Sequence, residues 1–597
     1  MIRARSLALA LLAAPALLRA QAPLRYTLRI DPADLTSIRV EMRIPASPDT
    51  LRLAMARHDE YDDRYWRYVR DLRAESGGAA LAVVREDSAV WRVAPAGGDV
   101  TVSYRIALPS DSGTGPHRAW RPFLSPFGGL AGAIDCFFYI PGRTALAAML
   151  SVDAPADWRI ATGLEPGANP RSYNAPDAAT LLDSPLLLGR LREWKVPAAR
   201  VAFLPAPGAA PFDSARFLNT LQRITSQALA IFGGAPYKDY VFLLIDGAGG
   251  VLEHVNSITL GVSGATLARD SLAYAPELAH EFFHTWNLIR LHPAQLRALR
   301  TDATPHVGEL WWSEGITIFF ADEILLRAGL YPAGQTRASR LVTRIGSYFA
   351  NPGYTHVSPE RASLTQGLPP GANGDYSGDY YLSGQLTGDM LELIIRDSTN
   401  GVRGMDQVIT ALYQRSAAGP GYTIADIELV ASQVCGCELR PFFARYVRSA
   451  AALDFDGALR SIGYRADVAW FTAKDSTGRP LPDRRVGVTR PESAPPGSPL
   501  RFVIVRPTGA WAMAGLHSGD ELIAFDGKPV ASAEEFRGLL AALDIGQHVS
   551  ITYARVGVRM KADVMMDAYV LPRVTLVELP GATPAQLARR AHWLAGD

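Results

Sequence analysis

One short stretch constrains this chain more than any other, the sequence HEFFH at residues 280–284. Pro276 suits the first turn of a helix, and the apolar residues that follow it predict a buried helix. Residues four apart lie on one face of a helix, so His280 and His284 can bind one zinc ion together. Glu281 can then reach a metal-bound water as a general base. The alternative is a buried helix whose two histidines make only ordinary hydrogen bonds.

A zinc ion held by two histidines needs a third protein ligand and one position left for water. Glu314 is the best downstream candidate, because it lies thirty residues after His284 at the start of a strongly helical segment. A second helix at that spacing can pack against the first and direct its carboxylate to the same point. The alternative is a surface glutamate near a helix start, where a negative charge is favourable. Trp311 and Trp312, just before it, favour burial.

Two further stretches fit the same chemistry. Gly250 and Glu253, in GGVLEH after a predicted strand at 241–245, can line a substrate cleft with a strand edge and an acidic side chain. Tyr380 and Tyr381, in YYLSG, open a predicted helix whose N-terminus favours an anion. A phenol there can donate to the oxyanion that forms when water attacks a carbonyl group. Either stretch alone is commonplace.

The chain has 597 residues, more than one hydrophobic core supports, which predicts three or four domains. Residues 23–195 alternate apolar and polar positions, as half-buried strands do, and predict a β-sandwich-like N-terminal domain. Residues 196–470 are rich in helical patterns and predict an α-rich catalytic domain with a short strand layer. Residues 476–572, which begin within a proline-rich break, predict short strands and one helix. Residues 573–597 are predicted to be a C-terminal tail, and the fold class is multidomain α+β.

The N-terminus has the pattern of a signal peptide over residues 1–22. Arg3 and Arg5 precede a thirteen-residue apolar stretch, and an A-x-A signal predicts cleavage after Ala22. The apolar stretch contains Pro15 and is shorter than the roughly 20 residues of a spanning helix, which disfavours an uncleaved anchor. The sequence therefore predicts export to a periplasm or the extracellular medium, with no transmembrane segment after cleavage.

Composition disfavours nucleic acid as a partner and a fold built on disulfides. Lys and Arg total 60 against 59 for Asp and Glu, without a basic run, so no nucleic acid is expected as a partner. Cys136, Cys435 and Cys437 are too few for a disulfide scaffold. The close pair, Cys435 and Cys437, either forms a small bridge or is two buried thiols.

Taken in order, the stretches GGVLEH, HEFFHTWN, WWSEGIT and YYLSG resemble the M61 glycyl aminopeptidase family. That family is related to the larger M1 aminopeptidases among the zinc-dependent gluzincins. The resemblance covers nearly the whole mature chain. It implies a thermolysin-like catalytic domain in which His280, His284 and Glu314 bind zinc and Glu281 is the general base.

The same resemblance implies roles at both ends of the scissile bond. Glu253 would hold the free α-amino group of the substrate. Tyr381 would stabilise the tetrahedral intermediate, with Tyr380 as its rival. Ser383 departs from the family, because relatives often carry Lys at this place in Y-x-K-G.

The function expected from these residues is that of an exported zinc aminopeptidase acting on peptides with a small N-terminal residue, Gly or Ala. One alternative is a zinc endopeptidase, which Glu253 disfavours. Another is a peptide-binding adaptor with an inactive peptidase domain. The intact HEFFH and Glu314 disfavour the adaptor, because a scaffold has no need for the catalytic Glu281.

Residues 514–530 resemble the core of a PDZ domain of the bacterial protease type. Turn glycines and alternating strand residues support this prediction. Such a domain binds an extended peptide by adding it to a sheet edge and holding its terminal carboxylate. Residues 486–488, Val-Gly-Val, are the candidate carboxylate loop. The alternative is a module that only packs against the catalytic domain.

Overall fold

The computed structural model describes residues 22–46, 50–57, 64–109, 119–296, 305–331, 335–490 and 497–596. The predicted signal peptide, apart from Ala22, lies outside the described residues. Within them, no helix is both long enough and apolar enough to cross a membrane. The described chain forms a β-rich N-terminal domain, a helical middle domain and a small C-terminal β-domain, and the predicted multidomain α+β class is confirmed.

The N-terminal domain consists mainly of strands with one buried face. Its strands are β1 (Leu24–Asp31), β2 (Asp34–Ile44), β3 (Leu51–Ala54), β4 (Val69–Ser76), β5 (Ala79–Leu81), β6 (Val83–Arg85), β7 (Val90–Val93), β8 (Val100–Ala107), β9 (Phe123–Ser125), β10 (Gly128–Gly132), β11 (Ala148–Asp153), β12 (Arg159–Ala161), β13 (Glu165–Pro166), β14 (Ser172–Ala175) and β15 (Pro185–Gly189). Its helices are α1 (Ala133–Cys136), α2 (Ala178–Leu182) and a 3-10 turn (Tyr65–Tyr68). The large sheet has the order β13-β14-β11-β1-β2-β8-β4-β5. Tyr26 and Leu28 of β1 point into a core shared with the smaller sheets, which holds the layers together.

A mixed sheet separates this domain from the helices. Its strands are β16 (Arg192–Val196), β17 (Ala199–Leu204), β18 (Val241–Asp246), β19 (Val251–His254) and β20 (Ser257–Val262), in the order β16-β17-β18-β20-β19. Strands β17, β18 and β20 are parallel, and β19 is an antiparallel edge strand. Because β18 is covered on both faces, it is a continuous apolar run. Phe242 and Leu244 belong to the core on the helical side, whereas Leu243 and Ile245 pack toward the N-terminal domain.

Helices dominate the middle domain. They are α3 (Ser214–Phe232), α4 (Gly264–Arg269), α5 (Ala275–His284), a π-helix (Trp311–Ile316), α6 (Thr317–Arg327), α7 (Arg337–Ala350), a 3-10 turn (Pro352–Thr355), α8 (Pro359–Leu364), α9 (Tyr380–Ser398), α10 (Met405–Ser416), α11 (Ile424–Cys435), α12 (Arg440–Tyr446), α13 (Phe455–Leu459) and a 3-10 turn (Arg460–Ile462). Their apolar faces form one core with one face of the mixed sheet. A disulfide joins Cys435 and Cys437 at the end of α11.

The C-terminal β-domain is bracketed by a two-stranded ribbon. The elements are β21 (Tyr464–Thr472), β22 (Val486–Thr489), β23 (Leu500–Ile504), α14 (Ala510–Met513), β24 (Glu521–Phe525), β25 (Lys528–Pro529), α15 (Ala533–Ala541), β26 (His548–Arg555), β27 (Val558–Met565), β28 (Val570–Glu578) and α16 (Pro584–Ala595). Strands β21 and β28 pair from Tyr464↔Glu578 to Thr472↔Val570, so the chain leaves and re-enters the helical domain at one place. Residues 573–597, predicted as a tail, contribute most of β28 and all of α16. The indole of Trp593 lies in the core of the helical domain, so this segment is part of the fold.

Candidate active site

Helix α5 carries two histidines that point the same way. Pro276 lies in its first turn, where the missing N–H is not needed. The apolar residues between the histidines pack into the core, and the ring of Phe283 stacks on Phe320 of α6 with centroids 4.7 Å apart. This packing fixes the rotation of α5 about its axis. The Nε2 atoms of His280 and His284 consequently lie 2.9 Å apart.

Glu314 joins these histidines from the π-helix. Its Oε2 lies 3.3 Å from His280 Nε2 and 3.4 Å from His284 Nε2. Trp311 and Trp312, in the same π-helix, are fully buried. The Glu314 side chain is only 15% exposed, so it is not the surface glutamate of the alternative interpretation. The helical segment predicted here exists, but it begins with the wider π turn, a rare form often found at functional sites.

Two of the three distances between the donor atoms have the spacing of a tetrahedral zinc site, and the third, 2.9 Å between the two imidazole nitrogens, is shorter. All three donor atoms lie within 4.8 Å of one another. Two ligand atoms bound tetrahedrally at about 2.0–2.1 Å are about 3.3 Å apart, which agrees with both carboxylate–imidazole distances. Two imidazoles and one carboxylate also leave a fourth position open, as catalytic zinc sites do. His280, His284 and Glu314 therefore fit zinc.

The electrostatics of the cluster favour an ionised carboxylate. Burial opposes ionisation of Glu314, but the two histidines outweigh it and hold the pKa of this carboxyl well below its usual value. Burial and the neighbouring His284 lower the pKa of His280 and favour its neutral form. Burial also opposes a charge on His284, but Glu314 outweighs it and raises the pKa of His284 to about 10. A bound cation would displace that proton, since metal ligands bind deprotonated.

Glu281 lies beside the cluster with a buried carboxylate. Burial raises its pKa well above the usual value. Its Oε2 has no hydrogen-bond partner among the described residues. Buried acceptors are normally satisfied, so an open one at the edge of a donor cluster is available to a water or a substrate. A carboxylate with raised proton affinity in this position has the properties of a general base.

Glu253 approaches the same cluster from the sheet. It lies on the edge strand β19, which packs next to α5. Its negative charge acts on the imidazole of His280 and on the carboxyl of Glu281. The predicted acidic side chain at the edge of the cleft is therefore close to the predicted metal ligands.

Gly250 precedes β19 and is covered by the N-terminal domain. Its φ is +83°, a left-handed conformation that favours glycine. A Cβ at this position would lie 2.4 Å from the ring of Trp120. The Ala119 N–H also donates to the Gly249 carbonyl at 3.0 Å. Close packing against Trp120 and a positive φ thus explain why the predicted substrate-binding residue is a glycine. The structure also brings Trp120 against this turn, a contact that no sequence spacing indicated.

A carboxylate of the N-terminal domain holds the turn after Glu253. Asp183 Oδ1 lies 3.0 Å from His254 Nδ1, and Asp183 Oδ2 accepts the Val255 N–H at 2.8 Å. His254 is almost fully buried. The last residue of GGVLEH therefore anchors the edge strand to the neighbouring domain. Asp183 was not predicted, because it lies about 70 residues away in sequence.

Tyr380 and Tyr381 begin α9, whose N-cap is Asp379. The ring of Tyr381 lies 6.5 Å from that of His280, centroid to centroid. Burial and the charge of Glu314 raise the pKa of the Tyr381 phenol, so its hydroxyl stays protonated and can donate a hydrogen bond. Ser383, the departure from the family pattern, donates to the Asp379 carbonyl of its own helix at 2.6 Å.

The π-helix and α9 cross in direct backbone contact. A Cβ at Gly315 would lie 2.6 Å from Gly384 Cα and 2.8 Å from the Tyr381 carbonyl oxygen. A Cβ at Gly384 would lie 2.0 Å from the Trp311 carbonyl oxygen. The glycines of WWSEGIT and YYLSG therefore allow the approach that places Tyr381 near Glu314.

Known protein families match this chain in three places. The Peptidase M61 N-terminal domain matches residues 25–190, the M61 glycyl aminopeptidase domain matches residues 275–387, and a PDZ domain matches residues 487–566. The chain belongs to the M61 peptidase family. The resemblance inferred from the four motifs is confirmed, and so is the C-terminal PDZ domain.

One solved structure shares the whole fold. An aminopeptidase N family protein from Idiomarina loihiensis superposes with a TM-score of 0.74 at 21% identity, covering 96% of this chain and 100% of that protein. An M1 zinc metallopeptidase from Deinococcus radiodurans is more distant, with a TM-score of 0.45 at 15% identity over 72% of this chain and 93% of its own.

A curated relative matches over a short region only. A protein of Neisseria meningitidis serogroup A, named as a zinc metalloprotease, is 39% identical over 71 residues, or 12% of this chain. The chain spans 16% of the length of that relative.

Proposed function

We propose that this protein is a zinc-dependent aminopeptidase that removes a small N-terminal residue, Gly or Ala, from peptides. The observation that carries the proposal is the convergence of His280, His284 and Glu314, with Glu281 and Glu253 beside them. Membership of the M61 family supports the preference for glycine through the family name. The N-terminal pattern at residues 1–22 supports export to a periplasm or the extracellular medium.

Three residues would hold zinc, and two others would act on the peptide bond. Zinc bound there would polarise the peptide carbonyl and acidify the attacking water. Glu281 would take the proton from that water and pass it to the leaving amine. The Tyr381 hydroxyl would donate a hydrogen bond to the oxygen on which negative charge develops.

Glu253 would decide which end of a peptide is accepted. A carboxylate in a partly buried cleft pairs best with a charged group, and the α-ammonium of a free N-terminus is such a group. A blocked N-terminus would leave Glu253 without its partner and would bind more weakly. An endopeptidase using the same zinc site would have no use for this side chain.

The experiment compares a free peptide with its N-acetylated form, using wild-type protein and the variant Glu253→Gln. We expect hydrolysis of the free peptide alone, and a fall in kcat/KM of about tenfold to a hundredfold in the variant because a charged hydrogen bond is lost. Glu534→Gln, which changes an exposed glutamate of α15 in the PDZ domain, is the control and should retain activity. Equal hydrolysis of both peptides would identify an endopeptidase.

The PDZ domain offers a second site for peptides, and we propose that it binds a peptide C-terminus or an extended segment. Strand β22 lies at the edge of its sheet and α15 lies beside it. An added strand between them could pair with the outer edge of β22. The predicted carboxylate loop, residues 486–488, falls within this strand. Peptide binding by a protein that contains no zinc would favour the adaptor alternative.

A further inference from the structure

Asn287 lies one helical turn beyond His284, in the last position of the motif HEFFHTWN. It is fully buried. Nothing in the proposed reaction uses its side chain, whose hydrogen bonds go to Trp312, Ser313 and Thr317 rather than to the donor atoms of the metal ligands. Its hydrogen bonds nevertheless connect the two elements that carry the ligands.

The backbone of Asn287 orients one ligand. His284 Nδ1 lies 2.8 Å from the Asn287 carbonyl oxygen. A proton on Nδ1 is therefore donated to this carbonyl, which leaves the Nε2 lone pair for a metal. The following residue, Leu288, has a φ of +130°, which is strained for a leucine. Strain of this kind persists only where the surrounding structure holds it, so the turn that presents the Asn287 carbonyl to His284 is held in place by its neighbours.

The side chain of Asn287 donates hydrogen bonds to the π-helix that carries Glu314. Its Nδ2 donates to the carbonyl oxygens of Trp312 at 3.2 Å and Ser313 at 3.3 Å, and to Thr317 Oγ1 at 3.0 Å. Three acceptors around one terminal atom identify it as the amide nitrogen. Thr317 in turn donates its hydroxyl to the Ser313 carbonyl at 2.7 Å.

Two of these acceptors belong to the two residues just before Glu314, and the third belongs to Thr317, three residues after it. The π turn widens the helix and disturbs the regular hydrogen bonding of its carbonyl groups. The amide of Asn287 supplies donors to two of those carbonyls and so stabilises a turn that the Glu314 carboxylate needs to reach the histidines.

We propose that Asn287 is a positioning residue that sets the distance between His284 and Glu314 and thereby the affinity for zinc. One residue fixes the ring of the first ligand through its carbonyl and the backbone of the second through its amide. The proposal rests on the zinc site of the proposed function.

The test measures zinc affinity rather than turnover. Metal-stripped wild-type protein and Asn287→Ala are titrated with zinc in competition with a chromogenic chelator, and thermal unfolding of both metal-free proteins is recorded. We expect the variant to bind zinc about 10-fold to 100-fold more weakly, the range typical of groups that support metal ligands. Tyr26→Phe is the matched control, since it removes a buried hydrogen bond to Phe138 in the N-terminal domain. It should lower the unfolding temperature and leave zinc affinity unchanged.

If Asn287→Ala does not fold, two less disruptive variants at Thr317 test the same proposal. Thr317→Val removes one acceptor of the Asn287 amide and should weaken zinc binding, whereas Thr317→Ser keeps the hydroxyl and should not. Wild-type zinc affinity in Asn287→Ala, or in Thr317→Val, would overturn the proposal. Failure of the wild-type protein to bind zinc would instead overturn the proposed function.

Discussion

Tyr380 and Tyr381 are neighbours with different surroundings. Their rings stack with centroids 4.6 Å apart. Tyr380 packs against the core of the helical domain, whereas Tyr381 is 40% exposed and faces the ring of His280. The structure therefore favours Tyr381 as the hydrogen-bond donor to the developing oxyanion, which the sequence left open between the two residues.

Replacing each tyrosine by phenylalanine separates these roles. Tyr381→Phe removes the proposed donor and should lower kcat by about 10²-fold to 10³-fold, as loss of an oxyanion donor does elsewhere. Tyr380→Phe removes the neighbouring hydroxyl instead, and the variant should keep most of the activity. Steady-state kinetics on one aminoacyl reporter substrate measures both. A larger loss in Tyr380→Phe would reverse the assignment.

Among single residues, the sequence predicted those that lie close together along the chain or within a recognisable motif. The pair of histidines follows from helical periodicity, and Glu314 follows from the ligand number of zinc. Trp120 and Asp183 could not be predicted, because each contacts the ends of β19 from another domain. Only tertiary packing determines those distances.

Among the elements, the crossing of the π-helix and α9 determines the shape of the site. Gly384 meets the Trp311 carbonyl oxygen with no room for a side chain. Because one helix carries Glu314 and the other carries Tyr381, any widening of this crossing would separate the proposed metal ligand from the proposed oxyanion donor.

Gly384→Ala should destabilise the protein by about 1–3 kcal/mol, the usual cost of overpacking, and should lower its unfolding temperature. Gly538→Ala is the matched control, because Gly538 is also helical but has open space where a Cβ would lie. Replacement there should stabilise the helix by up to about 1 kcal/mol. Calorimetry of the two variants measures both effects. An unfolding temperature raised by Gly384→Ala would contradict the close crossing.

Sequence patterns predicted most of these elements but missed one local form. Apolar periodicity identifies the helical segment that contains Glu314, but it does not distinguish a π turn from an α turn at its start. The difference depends on donors such as the Asn287 amide, which comes from the turn after α5. Periodicity alone carries no information about them.

Over the whole molecule, the C-terminus returns to the peptidase domain after the PDZ domain. The ring of Trp593 in α16 lies under the guanidinium of Arg337, with the guanidinium carbon 5.2 Å from the ring centroid. Arg337 also donates to the Trp593 carbonyl at 2.8 Å. Helix α16 therefore completes the core of the helical domain.

Trp593→Ala should destabilise the helical domain by about 3–5 kcal/mol, because it leaves a large cavity in a closed core. Leu594→Ala, one position later, changes a side chain that is 37% exposed and should cost much less. Denaturant unfolding of both variants gives the free energies. Equal stability of the two would indicate that the last 25 residues are a dispensable tail.

The order of the domains could be predicted from the change between strand-like and helical residue patterns along the chain. The way in which the PDZ domain is joined to the helical domain could not. The sequence suggests a PDZ domain followed by a tail, whereas β21 and β28 pair across it and make it an insertion. Pairing between strands about 100 residues apart leaves no local pattern.

The most direct test of the account measures zinc content together with hydrolysis of a panel of aminoacyl reporter substrates, with and without a chelator. Wild-type protein should contain zinc, prefer glycyl or alanyl substrates and lose activity when zinc is removed. Glu281→Gln should keep the zinc and lose about 10²-fold to 10⁴-fold in kcat, because only the general base has changed. Turnover retained by Glu281→Gln, or activity that survives complete removal of zinc, would contradict the account.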